Sequence, residues 1–351
     1  MKKRKVPLFF VKWLNYEYWP FWLFFLPLVP YWIYLAIRAR SFTYFTAANP
    51  GIEHGGVFGE SKIDILNKIN KRYLPKTVFF KSNTPISDVM VMISENQIDF
   101  PLIIKPNVGE RGNDVEKIDN QQALQIYLSS ASGDLIIQEF VDYEIELGVL
   151  YYRFPDSDKT GITSVVTKEF LTVIGDGKST IIELLEENDR ARFQLESLMK
   201  KLGEEMNIVL AKGQQRNMQP IGNHCKGTKF LSGLNLLNPK LVQVFDDVAL
   251  DIEGFYFGRF DLKVKSIEDL YLGRNIKILE LNGVTSEPAH IYDPSYSLWK
   301  AYSETARNMK MMFRVSRANI KKGVKVTPLF EMIRLVRAHF NRTNVQIEGA
   351  Q

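Results

Sequence analysis

The chain has 351 residues, of which 45% are hydrophobic and 24% are charged, with 15 Pro and 22 Gly. This is the composition of a folded globular protein, and it excludes collagen-like, coiled-coil and intrinsically disordered chains. The single cysteine, Cys225, excludes a disulfide framework and a cysteine-based zinc site, and it fits a reducing compartment.

Positive charge is concentrated at the two ends of the chain. Residues 1–40 contain seven basic residues and one acid, and residues 314–351 contain eight basic residues and two acids. The middle of the chain, residues 41–313, is left with 30 basic and 37 acidic residues. A basic nucleic-acid-binding stripe across this middle part is therefore not expected.

The N-terminal segment, residues 1–47, contains four of the five Trp and a run of 20 uncharged residues, Tyr18 to Ile37. Twenty apolar residues can span a bilayer, but Pro20, Pro27 and Pro30 interrupt the run and disfavour one straight helix. We predict a helix–proline–helix hairpin that lies in the membrane interface, with its basic flanks against anionic headgroups. The alternative is an aromatic arm packed on the soluble core or in an oligomer interface.

The next region combines a helix, a short buried strand and a glycine-containing turn. Apolar spacing predicts a helix over Lys62 to Arg72, and a strand is predicted over Pro101 to Lys105. The strand continues directly into the turn Pro106 to Val115. The backbone N–H groups of such a turn, with a lysine beside them, can hold phosphate oxygens. A strand followed by an ordinary polar hairpin turn is the alternative.

A third strand is predicted over Leu135 to Phe140. After it, Glu144 and Glu146 alternate with apolar residues and therefore share one face of an extended segment. A carboxylate there can accept hydrogen bonds from ribose hydroxyls. Solvated acids on an edge strand are the alternative.

Polar residues cluster on two further strands, Phe255 to Lys263 and Lys277 to Asn282, which the intervening Gly and Asn join as a hairpin. Asp261 on the first strand and Glu280 and Asn282 on the second supply oxygen ligands of the kind that Mg²⁺ prefers. Arg259 lies two residues before Asp261, hence on the same face, where it can neutralise an oxyanion. A polar outer face of the hairpin is the alternative.

Two other patterns are discounted. The stretch Gly175 to Ser179 is not a P-loop, because Thr172 stands where that motif needs glycine. It is interpreted as a turn before a helix capped around Ser179. His224 and Cys225 have no suitably spaced partners for a metal site, so a structural or substrate-loop role is predicted for them.

In this order, the motifs resemble the ATP-grasp superfamily, and most of all D-alanine–D-alanine ligases and the ATP-grasp part of cyanophycin synthetases. The resemblance covers about residues 55–313 and is carried by Lys105-Pro106 with Gly109 and Gly112, Gln138 to Val141 with Glu146, Gly258 to Asp261, Glu280 to Asn282, and the stretch 174–184. It implies an α/β (α+β) fold of two subdomains that grip ATP, residues 48–141 and 142–313. The basic tail 314–351, with an amphipathic helix, follows. One departure is that only about 50 residues stand where ATP-grasp ligases usually carry a Rossmann-like domain.

The resemblance also implies a role for each residue that matches a motif. Phosphate would be bound by Lys62, Lys105 and Lys168, and the loop that closes over it would contain Gly109 and Gly112. Adenine would be contacted by Glu139, Phe140 and Val141, and ribose would be bound by Glu146. Asp261, Glu280 and Asn282 would hold Mg²⁺ or Mn²⁺, and Arg259 would stabilise the tetrahedral intermediate. Glu287 and His290, in the loop after the metal strand, are candidates for holding or deprotonating the nucleophile.

These implications predict an ATP- and Mg²⁺-dependent carboxylate–amine ligase that works through an acylphosphate on a small carboxylate and a small amine, such as amino acids or peptides. Because ATP is cytoplasmic, we expect the protein on the cytoplasmic side of a membrane, bound through its basic ends. The alternatives are an ATP-grasp kinase or other phosphotransferase, and a non-catalytic membrane scaffold that binds ATP.

Overall fold

The computed structural model describes residues 6–57, 59–109, 114–219 and 221–348, with side chains as far as residue 339. Its strands are β1 Thr77–Phe80, β2 Leu102–Pro106, β3 Glu116–Ile118, β4 Leu135–Glu139, β5 Ile145–Arg153, β6 Thr160–Glu169, β7 Thr172–Ile174, β8 Gln215–Asn217, β9 Lys229–Ser232, β10 Phe257–Val264 and β11 Ile276–Asn282. Its helices are α1 Leu8–Leu14, α2 Phe21–Phe25, α3 Val29–Ala39, α4 Lys62–Leu66, α5 Ile86–Glu95, α6 Gln121–Ser130, α7 Ile181–Glu186, α8 Asp189–Arg192, α9 Leu195–Leu202, α10 Pro239–Leu250, α11 Ile267–Tyr271, α12 Leu298–Lys321 and α13 Leu329–Glu348.

The smaller lobe is a four-stranded antiparallel sheet in the order β1-β4-β2-β3. Helices α5 and α6 pack on it because each places its apolar residues on one side, Val89 and Ile93 in α5 and Leu124 and Tyr127 in α6. Asn120 starts α6 by accepting a hydrogen bond from the N–H of Ala123. The lobe therefore has a hydrophobic core of its own.

The larger lobe is a five-stranded antiparallel sheet in the order β11-β10-β5-β6-β9. Helix α10 covers one face with Leu241, Val244, Phe245 and Val248, residues at helical spacing that are all buried. That face is apolar, whereas the charged residues of β10 and β11 project from the other. The predicted α+β fold is confirmed, and the two lobes are the arrangement that the ATP-grasp resemblance implies.

A third, smaller unit follows β6 and consists of the β7–β8 pair with helices α7 to α9 around its own apolar core. Helix α7 begins at a capping box, in which Thr180 and Glu183 each bind the other's backbone N–H. Asp176 accepts hydrogen bonds from the N–H groups of Lys178 and Ser179 at 2.8 and 2.7 Å. This local turn is the structure that the sequence predicts in place of a P-loop.

The N-terminal segment packs against the outside of the larger lobe. Phe24 and Leu28 contact Ile291 and Ala301, and the buried residues Leu35 and Tyr44 pack against Phe313 of α12. Residues Phe21–Ala39 are helical throughout, as α2, a 3₁₀ turn over Leu26–Leu28 and α3 in direct succession. The predicted hairpin is wrong: Pro27 and Pro30 occupy first-turn positions, where a missing N–H costs no helical hydrogen bond, and the chain bends before Pro20 instead.

Two further expectations differ from the structure. The predicted helix over Lys62 to Arg72 ends at Leu66, and a single 3₁₀ turn, Lys71–Tyr73, follows. The predicted hairpin between β10 and β11 contains the short helix α11, capped by Ser266.

Helix α12 runs through residue 313, and its later residues Val315 and Asn319 are buried. The amphipathic helix predicted in the tail is α13.

Candidate active site

The candidate site lies where the two lobes meet. Lys105, at the end of β2 in the smaller lobe, donates through Nζ to the carbonyl oxygen of Leu279 in β11 of the larger lobe, at 3.0 Å. Lys277 of β11 pairs with Glu139 of β4 at 3.5 Å. These contacts bring residues that are more than a hundred positions apart in the sequence into one interlobe cleft.

Strand pairing in the larger lobe aligns the predicted metal ligands. In the antiparallel register, Asp261 stands opposite Glu280, and Arg259 stands opposite Asn282. Asp261 accepts hydrogen bonds from Arg259 Nη2 and Asn282 Nδ2, both at 3.0 Å. On its other side Asp261 faces Gly148 of β5, where an added Cβ would lie only 3.0 Å from Asp261 Oδ1. Glycine at 148 therefore leaves the room that this carboxylate occupies.

Lys168 joins the predicted ribose acid to the predicted metal ligand. Its Nζ lies 2.9 Å from Glu146 and 3.5 Å from Asp261, and all three side chains are buried. Burial favours the neutral form of Lys168, but Asp261 and Glu146 outweigh it and raise the pKa of the ammonium. Burial likewise opposes ionisation of Asp261, but Arg259 and Lys168 outweigh it and lower the pKa of that carboxyl. Lys168 and Asp261 are therefore both charged at neutral pH.

The two remaining phosphate-binding candidates lie at the smaller lobe. Burial lowers the pKa of Lys105 from 10.5 to about 8, against the opposing effect of Glu280. Lys62, at the start of α4, donates to the carbonyl oxygen of Gly109. The start of the predicted phosphate loop is thus held beside a lysine. Gly112 lies outside the described residues.

The predicted adenine-contacting residues form the link between the lobes. Glu139 ends β4, and Phe140 and Val141 lead from it towards β5. Lys263 of β10 donates to the carbonyl oxygen of Val141 at 3.0 Å, and its ammonium lies 5.5 Å from the ring centre of Phe140. Sequence analysis missed Lys263, although the alternation that placed Arg259 and Asp261 on one face extends to it.

A loop after β8 closes over Glu146, the residue predicted to bind ribose. An added Cβ on Gly222 would lie 2.3 Å from Glu146 Oε1, so the backbone at 222 is in direct contact with that carboxylate. Only glycine permits this approach. No pattern in the sequence points to this contact, because residue 146 lies in β5 and residue 222 lies in a loop after β8.

The predicted substrate residues occupy two different environments. Glu287 accepts a hydrogen bond from Tyr292 at 2.5 Å and acts electrostatically on Arg259, so it faces the charged side of the cleft. His290 is instead fully buried: its Nδ1 lies 2.7 Å from the Ser164 hydroxyl. Burial lowers the pKa of His290 to about 4. The structure therefore brings Glu287, but not His290, towards the cleft.

Asp261, Glu280 and Asn282 fit a hard divalent cation by the chemistry of their donors, two carboxylates and an amide oxygen on adjacent strands. Within the described ranges, no three His, Cys, Asp or Glu side chains are grouped as a metal site. A metal held here would therefore depend on the amide and on oxygens from a bound phosphate or water, as Mg²⁺ sites commonly do.

No protein-family model matches the chain, and no curated protein matches it in sequence. Among solved structures, it is similar to a bifunctional glutathione synthetase from Pasteurella multocida, with 15% identity and a TM-score of 0.37 over 72% of this chain and 36% of that one. It is also similar to D-alanine–D-alanine ligase from Bacillus anthracis (12%, 0.42, covering 75% and 69%) and to VanG D-Ala:D-Ser ligase from Enterococcus faecalis (14%, 0.38, covering 69% and 55%). The chain thus spans about a third of the glutathione synthetase and just over half of the VanG ligase.

Proposed function

We propose that this chain is an ATP- and Mg²⁺-dependent ligase of the ATP-grasp type, which joins a carboxylate to an amine through an acylphosphate. The observation that carries the proposal is a pair of buried ammonium groups in the cleft. Lys105 and Lys263 are 7% and 8% exposed, and both donate to backbone carbonyl oxygens. Within the described residues, neither belongs to an ion pair.

Burying an ammonium group without a direct ion pair destabilises a protein, and burial lowers the pKa of both lysines in spite of the carboxylates nearby. Such groups are expected where a ligand supplies the missing negative charge. The two lysines lie at different positions in the cleft, one on each lobe. In the proposed ATP complex, the phosphates would lie near Lys105 and Lys168, and the base would lie near the link formed by Phe140 and Val141, beside Lys263.

The chain's own residues have separate tasks in the proposed reaction. A carboxylate oxygen of the first substrate attacks the γ-phosphorus of ATP, ADP leaves, and Lys105 and Lys168 neutralise the phosphate oxygens. The amine of the second substrate then attacks the acyl carbon, and the developing oxyanion faces Arg259. Inorganic phosphate leaves, and an amide is formed. Glu287, beside Arg259, is placed to accept the proton of the amine.

Asp261, Glu280 and Asn282 would hold Mg²⁺, which when bound supplies charge neutralisation and orientation of the phosphate oxygens. Asp261 accepts hydrogen bonds from Arg259 and Asn282 and pairs with Lys168. These contacts fix the direction of its carboxylate and keep it ionised. Three side chains thus orient the two carboxylate oxygens of Asp261 that are proposed to face the metal.

We also propose that the protein binds the cytoplasmic face of a membrane. Phe21–Ala39 is long and apolar enough to cross a bilayer, and only 22% of its most apolar 18-residue stretch is buried. Because part of this helix packs on the larger lobe, it is suited to lying along the surface rather than spanning. The basic residues at both ends of the chain favour an anionic leaflet.

Product analysis tests the proposal. The full chain is incubated with ATP, Mg²⁺, lipid vesicles and a panel of amino acids, small peptides and cell-wall precursors, and ADP and new products are measured. ADP with an amide and phosphate supports the ligase. ADP with a phosphorylated substrate indicates a phosphotransferase, and absence of ADP throughout indicates a scaffold. Lys105→Ala should lose ADP release, while Lys178→Ala, an exposed lysine outside the cleft, is the matched control.

A further inference from the structure

One face of the N-terminal segment is apolar and exposed. Its large side chains are 38% to 78% exposed: Phe9, Phe10, Trp13, Leu14, Phe21, Trp22, Leu26, Val29, Ile33, Tyr34, Ile37 and Phe42. We call this the aromatic face. The hydrogen bond from Thr43 to the carbonyl oxygen of Thr327 places the start of α13 beside its end, and there Leu329 and Phe330 are also exposed. Apolar patches of this extent mark interaction surfaces.

Charge identifies the occupant of the aromatic face as an anionic bilayer. The exposed charged residues on this part of the segment are Lys12, Arg38 and Arg40, and a cluster of four basic residues, 2–5, precedes it in the sequence. The one acid, Glu17, is turned inward and pairs with Arg190 at 2.5 Å. An apolar surface whose exposed charged residues within 6–42 are all basic suits anionic headgroups above an acyl layer.

The inner side of the same segment reaches the substrate side of the cleft. Tyr16 donates to the carbonyl oxygen of Ile291 at 2.5 Å, and the ring of Phe24 lies 6.3 Å from that of Tyr292. Tyr292 in turn donates to Glu287, which acts electrostatically on Arg259. Two side chains in succession, Tyr292 and Glu287, therefore connect the segment that carries the aromatic face to Arg259, the group proposed to face the oxyanion.

We infer that this segment serves as the wall of the acceptor site and opens it towards the membrane, so that one substrate is an amphiphile whose polar head reacts while its tail stays at the aromatic face. This inference rests on the proposed ligase function. It assigns to the segment the place that a Rossmann-like domain occupies in the resembling ligases.

The first arm of the test uses vesicles and the full chain. We expect the wild-type protein to sediment with phosphatidylglycerol vesicles in high salt, and the Phe21→Glu/Trp22→Glu variant to stay in solution. The control is Leu250→Glu/Leu272→Glu, which changes two equally exposed apolar residues on the larger lobe and should sediment normally. Stabilisation by ATP in a thermal melt verifies that each variant is folded. A wild-type protein that ignores the vesicles overturns the inference.

The second arm measures ADP release with substrates offered as matched pairs. One series keeps the amine and compares amino-acid hexyl esters with methyl esters. The other keeps the carboxylate and compares N-hexanoyl with N-acetyl amino acids. All substrates are used at concentrations where they are monomers. We expect KM to fall about tenfold or more with the longer tail of one substrate, since burying each extra methylene is favourable. That preference should disappear in Phe21→Glu/Trp22→Glu. Equal KM values overturn the inference and leave the ligase intact, whereas ATP binding without ADP release from any pair overturns the ligase itself.

Discussion

Replacing Lys105 by methionine should stabilise the protein without ligand while impairing its function. Burial lowers the pKa of this lysine from 10.5 to about 8. At about 1.4 kcal/mol per pKa unit, that difference corresponds to about 3 kcal/mol of unfavourable free energy for the buried charge at neutral pH. Methionine fills a similar volume without charge, at the loss of one hydrogen bond of about 1 kcal/mol to the carbonyl oxygen of Leu279. We therefore expect a net gain of about 2 kcal/mol.

The pH dependence gives the sharper measurement. Below about pH 8 the lysine is charged in both the folded and unfolded states, so the whole unfavourable free energy of burying its charge lowers the stability of the wild type. As the pH rises from about 8 to 10.5, the folded state loses its proton before the unfolded state does, and the cost disappears. The stability difference between Lys105→Met and wild type, from denaturant unfolding, should therefore shrink across this interval. Lys178→Met, at an exposed position, should show no such change.

ATP should reverse the order of stability. A phosphate beside Lys105 favours the ammonium form, so wild-type protein should take up a proton on binding ATP near pH 9, and Lys105→Met should bind ATP more weakly and without that uptake. Calorimetry in buffers of different ionisation enthalpy measures both quantities. A stability difference that does not vary with pH, or a methionine variant that binds ATP as tightly as wild type, would refute the reasoning.

Three further outcomes are expected. Asp261→Asn should reduce Mg²⁺-dependent ADP release by at least about a hundredfold, because the amide cannot replace the proposed metal-binding carboxylate. It should also lower the free energy of unfolding, since Arg259 and Lys168 lose their shared carboxylate; unchanged turnover in the folded variant would remove Asp261 from the site. Gly222→Ala should displace Glu146 and raise KM for ATP more than it lowers kcat, since its added Cβ would lie 2.3 Å from Glu146 Oε1; an unchanged KM would show that the loop moves away freely. Glu17→Gln should lower the free energy of unfolding by about 3 kcal/mol, because it leaves the largely buried Arg190 without its carboxylate. Adding Arg190→Met should recover most of that loss in the same unfolding measurement, and no recovery would contradict the assigned role of the pair.

Local pattern in the sequence determined the strands that carry the site and the face on which their charged residues lie. Arg259, Asp261 and Glu280 are recognisable because a strand places every second residue on the same side, whatever surrounds it. The predicted strand also located Lys105 near the end of β2, whereas Lys168 in β6 was identified only through the resemblance to ATP-grasp motifs. The same pattern could also have found Lys263, which continues the alternation of β10 by two residues.

Tertiary structure alone decided which of these faces meet. The contact of Lys105 with Leu279 depends on how the two lobes sit on each other, and the contact of Gly222 with Glu146 depends on a loop that returns from the third unit. No periodicity encodes such contacts, because their partners lie far apart in the chain and approach only when separate cores have formed. For the same reason the prolines of the N-terminal segment were misleading: the effect of proline on a helix depends on its position within the turn, and packing against the larger lobe set that position.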